Sequence, residues 1–426
     1  LMPDSPSLTE PPAHSGTFAA FSNPDYRKFY LGQGISLIGT WLQAAAVSWI
    51  VFDRTKSERM SGLVEAAGIV PGLFVGVLAG VLADRVFPRT MILLSQFAQM
   101  ALACLLAILV ASGRERVWQL ALIVALTRIF VTFEMPARQV FLYDVVGRGM
   151  LVNAIALNSG LFNASRVIGP ALAGLCLARL GEAACFGLNG ASYLGAIASL
   201  LLIRVRPRPR HSSGKGMREI FGGFHYLIRD HRVRSLFLLM TGFGLLGGGF
   251  NALGPSYAQR LIGTGTGGYS LLLAMGGLGA TLGALLVASL GGVERRDRLV
   301  LVGIVIFSIS MAAAVVIPPQ LGPFGGVARL VSGSLCLMGT GLGAIVFYAA
   351  TQTMIQSAVP DTLRGRVMGI WMIVYSGSVP LGCLWAGELA QWSGVGPVMI
   401  LSACLCVTLT FLAAASGAIR EREELC

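Results

Sequence analysis

The sequence predicts an all-α membrane protein, with twelve transmembrane helices in two pseudo-symmetric six-helix bundles. Three observations carry that reading. Of 426 residues, 55% are hydrophobic and only 12% are charged, about half the charge of an ordinary soluble domain. The apolar residues come in long runs without strand alternation, so backbone polar groups are satisfied inside helices. Features of the first half return in the second at a spacing of about 210 residues, as a duplicated six-helix unit requires.

A helix needs about 20 apolar residues to cross a bilayer. The runs that meet this are 28–52, 60–83, 90–111, 117–137, 153–178, 184–203, 234–256, 268–291, 299–317, 327–350, 365–389 and 394–417. An even number leaves both termini on one side. With the N-terminus inside, the inner segments hold Arg27, Lys28, Arg85, Arg89, Arg138, Arg148, the cluster over 204–234, Arg295, Arg296, Arg298, Arg364, Arg366, Arg420 and Arg422. The outer segments hold fewer: Arg54, Lys56, Arg59, Arg114, Arg116, Arg179, Arg260 and Arg329. The positive-inside rule therefore puts both termini in the cytoplasm. The same distribution explains the net charge of +12 without nucleic acid, since the basic residues border apolar spans instead of forming one patch.

The expected organisation is a tail over 1–26, a six-helix bundle over 27–203, a basic linker over 204–232, a second bundle over 233–417 and a tail over 418–426. Leu1 to Thr17 is rich in Pro, Ser and acidic residues and has no basic region leading into a short apolar core. It does not read as a cleavable signal, and the first span is expected to act as an uncleaved anchor. Within the linker, Met217–Arg234 is amphipathic and basic. It fits either a helix lying on the inner membrane surface or a solvated connector.

The internal echo is specific. Asp84-Arg85 after span 2 returns as Glu294-Arg295 after span 8, and Gly169-Pro170 in span 5 as Val379-Pro380 in span 11. Ala-Gly pairs follow both prolines, Ala173-Gly174 and Ala386-Gly387.

Charges at membrane depth are costly and face a cavity or a partner. Those within spans are Glu65, Arg128, Arg166 and Glu388, with Glu134 and Arg138 near the inner end of span 4. The i,i+4 spacing of Glu134 and Arg138 favours a local pair. Glu65 suits a proton carrier, because desolvation raises a carboxyl pKa toward physiological pH; it equally suits an ordinary residue at the outer interface. All four histidines, His14, His211, His225 and His231, lie outside the spans, which excludes a histidine relay within the membrane. In span 1, Gln33, Ser36, Thr40 and Gln43 share one helical face, to line either a cavity or another helix. Span 7 carries Gly242, Gly244 and Gly247-Gly248-Gly249, which suit a hinge or tight packing.

The eight cysteines form no CxxC pair and no cluster with histidine. They read as small packing residues, and neither a metal nor a cofactor is expected. There is no GxxxxGK[ST] loop for ATP, no GxSxG and no HExxH. An enzyme is not expected, and an ion gradient is the expected energy source.

At Gly80-Val-Leu-Ala-Asp84-Arg85-Val-Phe-Pro-Arg89, a carboxylate in a tight turn can meet an arginine or a helix N-terminus and so latch a gate. This segment resembles the cytoplasmic signature of the major facilitator superfamily, with Phe87 where the family has glycine. Tyr26–Ser36, Gly39-Thr40-Trp41, Glu134–Gln139, Asn153–Asn158, Gly169–Gly174 and Leu363–Met368 are similar to the bacterial enterobactin-exporter and macrolide-efflux branch. The resemblance runs from about residue 20 to 415.

The resemblance implies a functional assignment for each group. Gly80, Asp84, Arg85, Arg89, Glu134, Arg138, Arg364 and Arg366 would form the cytoplasmic gate. Arg128 matches the family's span-4 arginine, which is tied to proton coupling, although Thr132 replaces the usual glycine; Glu65, Glu388 and Arg166 are the further candidates for that task. Gly169, Pro170 and Gly174 match the bend of antiporters, with Ser165 where glycine is common. Spans 1, 4, 7 and 10 would line a central cavity through Gln33, Ser36, Thr40, Gln43, Asn251, Tyr348 and Gln352. The expected protein is a monomer in the bacterial cytoplasmic membrane, with a small-molecule substrate, protons and membrane lipids as its partners. Its expected action is proton-coupled export of an amphipathic drug or siderophore by alternating access. A transporter of a lysolipid or lipid-like solute between leaflets, or a non-transporting sensor with the same fold, are the alternatives.

Overall fold

The structure, a computed structural model, describes residues 18–204, 226–290 and 296–415; the side chains of 73, 77–85, 361, 362 and 365 also lie outside the description. The expectations for the two tails before 18 and after 415, for the linker to 225 and for the Glu294-Arg295 echo fall outside these residues.

Twelve long helices follow one another: α1 (Pro24–Thr55), α2 (Glu58–Arg85), α3 (Pro88–Ala111), α4 (Val117–Val146), α5 (Leu151–Arg179), α6 (Glu182–Leu202), α7 (His231–Ile262), α8 (Thr266–Ser289), α9 (Arg296–Gln320), α10 (Gly326–Ala358), α11 (Asp361–Ser393) and α12 (Val395–Ala415). Among the described residues, eleven helices are long and apolar enough to cross a membrane, and α2 completes the twelve.

The helix ends follow from local chemistry. Asn23 caps α1, its side chain accepting from the Asp25 and Tyr26 N–H groups, with Pro24 in the first turn. Pro88 opens α3 in the same way. Gly181 before α6 and Gly394 before α12 have φ values of 85° and 86°, a backbone that favours glycine, so the two halves turn alike. Several helices outrun the apolar stretch. α4 continues to Val146 and α10 to Ala358.

In the first half α1 packs on α5 and α6, α2 on α4, and α3 on α4 and α6. In the second, α7 packs on α11 and α12, α8 on α10, and α9 on α10 and α12. The halves meet along α5–α8 and α2–α11. Under the internal symmetry these are one crossing made twice, and the repeated Ala-Gly pairs sit in it. A Cβ on Gly174 would lie 2.9 Å from the Ser270 hydroxyl and 3.5 Å from the Gly267 Cα of α8. A Cβ on Gly387 would lie 2.6 Å from the Glu58 carbonyl and 3.3 Å from the Gly62 Cα of α2. Small residues let these backbones touch where a larger side chain would hold them apart.

The glycines of α7 prove to be both a break and a contact. The α-helix runs over His231–Gly247, resumes over Phe250–Ser256 and ends in a π-turn over Tyr257–Ile262. Carbonyls at the break find side-chain donors: Trp385 Nε1 donates to Leu245 at 2.6 Å, and Asn251 Nδ2 to Gly248 at 3.0 Å. A Cβ on Gly249 would lie 2.5 Å from the Ala386 Cβ of α11.

Candidate functional site

The interior where the halves meet is built around Glu65 of α2. The Ser48 hydroxyl of α1 donates to its Oε1 at 2.6 Å. Arg128 of α4 is within electrostatic range of the same carboxyl, and so are Tyr269 of α8 and Cys383 of α11. Trp49 lies against Tyr269 with ring centroids 5.4 Å apart. Helices of both halves thus converge on one partly buried carboxyl group. Arg128 runs along Gly68, one turn from Glu65: a Cβ there would be 3.9 Å from the Arg128 Cγ. Its guanidinium is exposed and makes no hydrogen bond or close ion pair among the described residues.

A second group surrounds Arg166 of α5. Its guanidinium lies over the Trp41 ring of α1, 5.8 Å from the centroid. Phe162, one turn earlier on α5, meets the same indole edge-on at 5.7 Å. Across the seam, Tyr375 of α11 is the electrostatic neighbour of Arg166. Tyr375 packs on Tyr348 of α10 at 4.9 Å, and Tyr348 on Trp371 at 5.9 Å. The position of Trp41 is set by the α1–α5 crossing, because Gly169 leaves room for its Cβ and Pro170 is buried beside it.

A third group lies wholly within the first half. Glu134 is buried and forms the expected pair with Arg138. It also accepts from Gln96 Nε2 and Gln99 Nε2 of α3, each at 2.8 Å. The Ser36 hydroxyl reaches Gln96 at 3.4 Å, and the Tyr193 hydroxyl of α6 reaches Gln99 at 3.3 Å. Two helices therefore bond the carboxylate directly, and α1 and α6 join the network through the two glutamines.

The polar face of span 1 divides among these groups. Gln43 accepts from Asn189 Nδ2 of α6 at 2.8 Å, Thr40 donates to its own helix, and Gln33 is buried with neither amide atom paired. Asn251 spends its amide on the α7 break, while Tyr348 and Gln352 are half-buried on α10. Among the gate candidates, Arg89 donates to the Leu201 carbonyl at 3.1 Å and Arg364 to that of Gln356 at 3.0 Å. Arg366 is half-buried and engaged with other groups. The side chains of Gly80, Asp84 and Arg85 lie outside the described residues. Glu388 is half exposed at the opposite end of the molecule, paired with Arg59 at 3.0 Å.

That end, distal to the chain termini, carries residues the sequence reading did not single out. Glu58 at the start of α2 is fully buried. Its Oε1 accepts from the Ser256 hydroxyl at 2.5 Å and from Arg260 Nη1 at 3.1 Å, both on α7. Arg260 also donates to the Lys56 carbonyl at 2.9 Å, Gln259 Nε2 to Asp53 at 3.3 Å, and Ser57 to Gln391 at 2.8 Å. These bonds tie the α1–α2 turn to α7 and α11, one half to the other. The only signal in sequence was the density of charge over Asp53–Arg59.

The sequence matches the family described as "Transmembrane secretion effector" over residues 15–425. The chain belongs to the major facilitator superfamily. It is a membrane transporter and not an enzyme. An MFS-type transporter of Bacillus subtilis, YfiS, is 25% identical over 411 residues, covering 92% of this chain and 93% of the relative. The multidrug efflux pump Tap of Mycolicibacterium fortuitum is 24% identical, covering 85% and 87%. The enterobactin exporter EntS of Escherichia coli is 27% identical, covering 82% and 81%. Among solved structures, the nucleoside transporter NupG aligns with a TM-score of 0.72 at 14% identity, over 93% of this chain and 99% of its own. A bacterial homologue of the lysosomal transporter Spinster, inward-facing and unoccupied, aligns at 0.70 and 15% identity, over 93% and 99%. At these identities the structures establish the fold. The major facilitator fold read from the sequence, and the resemblance to the efflux branch, both stand.

Proposed function

We propose that this transporter exports amphipathic small molecules against an inward proton flow by alternating access. The observation that carries the reading is the Glu65 site, where a carboxyl group that accepts from Ser48 and lies in the field of Arg128 is bordered by both halves. Protonating such a carboxyl removes a charge that Arg128 and the second half both feel, so proton binding and the relative position of the halves are linked. With both termini cytoplasmic, as the positive-inside rule favours, the distal network around Glu58 ties the two halves together at the outer end. Export is supported by the relatives, one a multidrug efflux pump and one an enterobactin exporter. The Gly169-Pro170-xxx-Gly174 bend, with Gly174 in the α5–α8 crossing, supports an antiporter.

The test is accumulation of dyes, antibiotics and siderophores in efflux-deficient bacteria at matched expression. Wild-type protein should lower accumulation of at least one compound, and Arg128→Ala or a protonophore should abolish that effect. Export that survives the protonophore would remove the proton from the mechanism. If nothing in the panel responds and phospholipid moves between leaflets in reconstituted vesicles, the cargo is lipid-like.

A further inference from the structure

The interior between the halves is not electrically balanced. Of the charges at membrane depth, Glu134 is paired with Arg138, and Glu65 has Arg128 beside it. Arg166 has no carboxylate: among the described residues its guanidinium makes neither an ion pair nor a hydrogen bond, and its neighbours are the Trp41 ring and Tyr375. From residue 234 to 291 and from 299 to 387 the chain contains no Asp or Glu except Asp361, at the start of α11, so the middle of the second half supplies no counter-charge. A half-buried guanidinium without an anion loses part of its hydration, and a cation–π contact of about 1–2 kcal/mol offsets only part of that cost.

The surroundings of Arg166 are aromatic on both sides of the seam. Trp41 lies against it from the first half, with Phe162 packed on the indole, and Tyr375 neighbours it from the second, with Tyr348 packed on that ring. The guanidinium keeps its hydrogen-bond donors free, in the fork geometry that matches carboxylates. Rings within reach suit a flat apolar body attached to that anion.

We infer that Arg166 is the anion-recognition residue of the transport site and that the preferred cargo is an organic anion carrying an aromatic ring. The inference rests on the transporter reading above and names the substrate class of the same site. The anion supplies the counter-charge that Arg166 lacks, and Trp41 with Tyr375 holds the ring. Neutral analogues lose the charge-assisted hydrogen bonds, and cationic analogues meet uncompensated repulsion.

The test is direct binding to the purified full-length protein in nanodiscs, by calorimetry, with three ligands of one shape: 2-naphthoate, 2-naphthamide and 2-naphthyltrimethylammonium. Wild type should bind the carboxylate about tenfold or more tighter than the amide, as a charge-assisted bond in a partly dry site predicts, and should bind the ammonium least. Arg166→Gln should erase the preference between carboxylate and amide, and Arg166→Lys should keep most of it. Trp41→Leu should weaken the carboxylate and the amide alike, leaving their ratio unchanged. Thermal melting and gel filtration establish that each variant is folded, and Arg166→Lys serves if Arg166→Gln is not. Equal binding of all three ligands, preference for the ammonium, no binding at all, or an unchanged preference in Arg166→Gln would overturn the inference. Anion preference in nanodiscs without proton-driven export in cells would remove the exporter reading and leave the anion site. Export of neutral or cationic compounds with no anion preference in nanodiscs would do the reverse.

Discussion

The two halves share a topology but not an interior. The first half is threaded by polar chemistry: Glu134 with Gln96, Gln99 and Arg138, then Gln43 with Asn189, with Glu65, Arg128 and Arg166 toward the seam. Its apolar core is correspondingly split into separate clusters. The second half has one continuous apolar core around Phe237, Phe243, Phe307, Phe347 and Trp371. Its buried polar side chains are Ser and Thr, several of them bonded to their own helix, such as Thr351 to the Phe347 carbonyl at 2.8 Å. The difference teaches that duplication supplied the scaffold and divergence split the labour. One half holds the ionisable groups and the other offers the apolar and aromatic surface they work against.

The sharpest way to break this comparison is at the seam. Arg128→Ala and Glu65→Gln should each abolish proton-driven efflux while the protein still reaches the membrane, measured by dye accumulation and surface expression. Removal of the Tyr375 hydroxyl from the other half, as Tyr375→Phe, should leave coupling intact. If Tyr375→Phe uncouples transport as fully as Glu65→Gln does, the division of labour fails.

The next largest effect is on stability. Glu134→Ala strands Arg138 and two buried amides, and should cost about 3–5 kcal/mol. It should lower the thermal midpoint in detergent far more than Thr351→Val in the second half, where about 1 kcal/mol is at stake. Equal losses would show that the polar network of the first half is dispensable.

At the distal end, Glu58→Ala removes the buried acceptor of Ser256 and Arg260 and should cost about 1–3 kcal/mol of the closed arrangement. Cysteine pairs placed across the α1–α2 turn and α11 should then become more accessible to labelling. The half-exposed Arg59–Glu388 pair should matter least: Glu388→Gln should change stability by less than about 1 kcal/mol and leave labelling unaltered. A large loss of transport in Glu388→Gln at normal stability would instead return Glu388 to the proton path.

Much of the fold was legible because a bilayer imposes local rules. Helix number, order and turn chemistry follow from runs of apolar residues, from Asn23 and Pro24, and from Gly181 and Gly394. The Ala-Gly echo even marked the residues of the two inter-half crossings, since only small side chains permit such contact. The Glu134–Arg138 pair was legible for a similar reason, its partners being one helical turn apart.

What escaped the sequence lies in contacts between distant segments. Glu58 looked like a surface charge beside a turn, and it is buried because Ser256 and Arg260 arrive from about 200 positions away. Gln96 and Gln99 looked like ordinary polar residues until α4 brought Glu134 between them. Asn251 looked free to line a cavity, and the break in α7 claims its amide. Hydropathy, charge placement and spacing determined that this chain spans a membrane as twelve helices in two related halves, because those properties are set within one helix. Which charges are paired, and that Arg166 faces aromatic rings without an anion, was decided only when helices of both halves packed together. Electrostatic balance belongs to neighbours in space and not to neighbours in sequence.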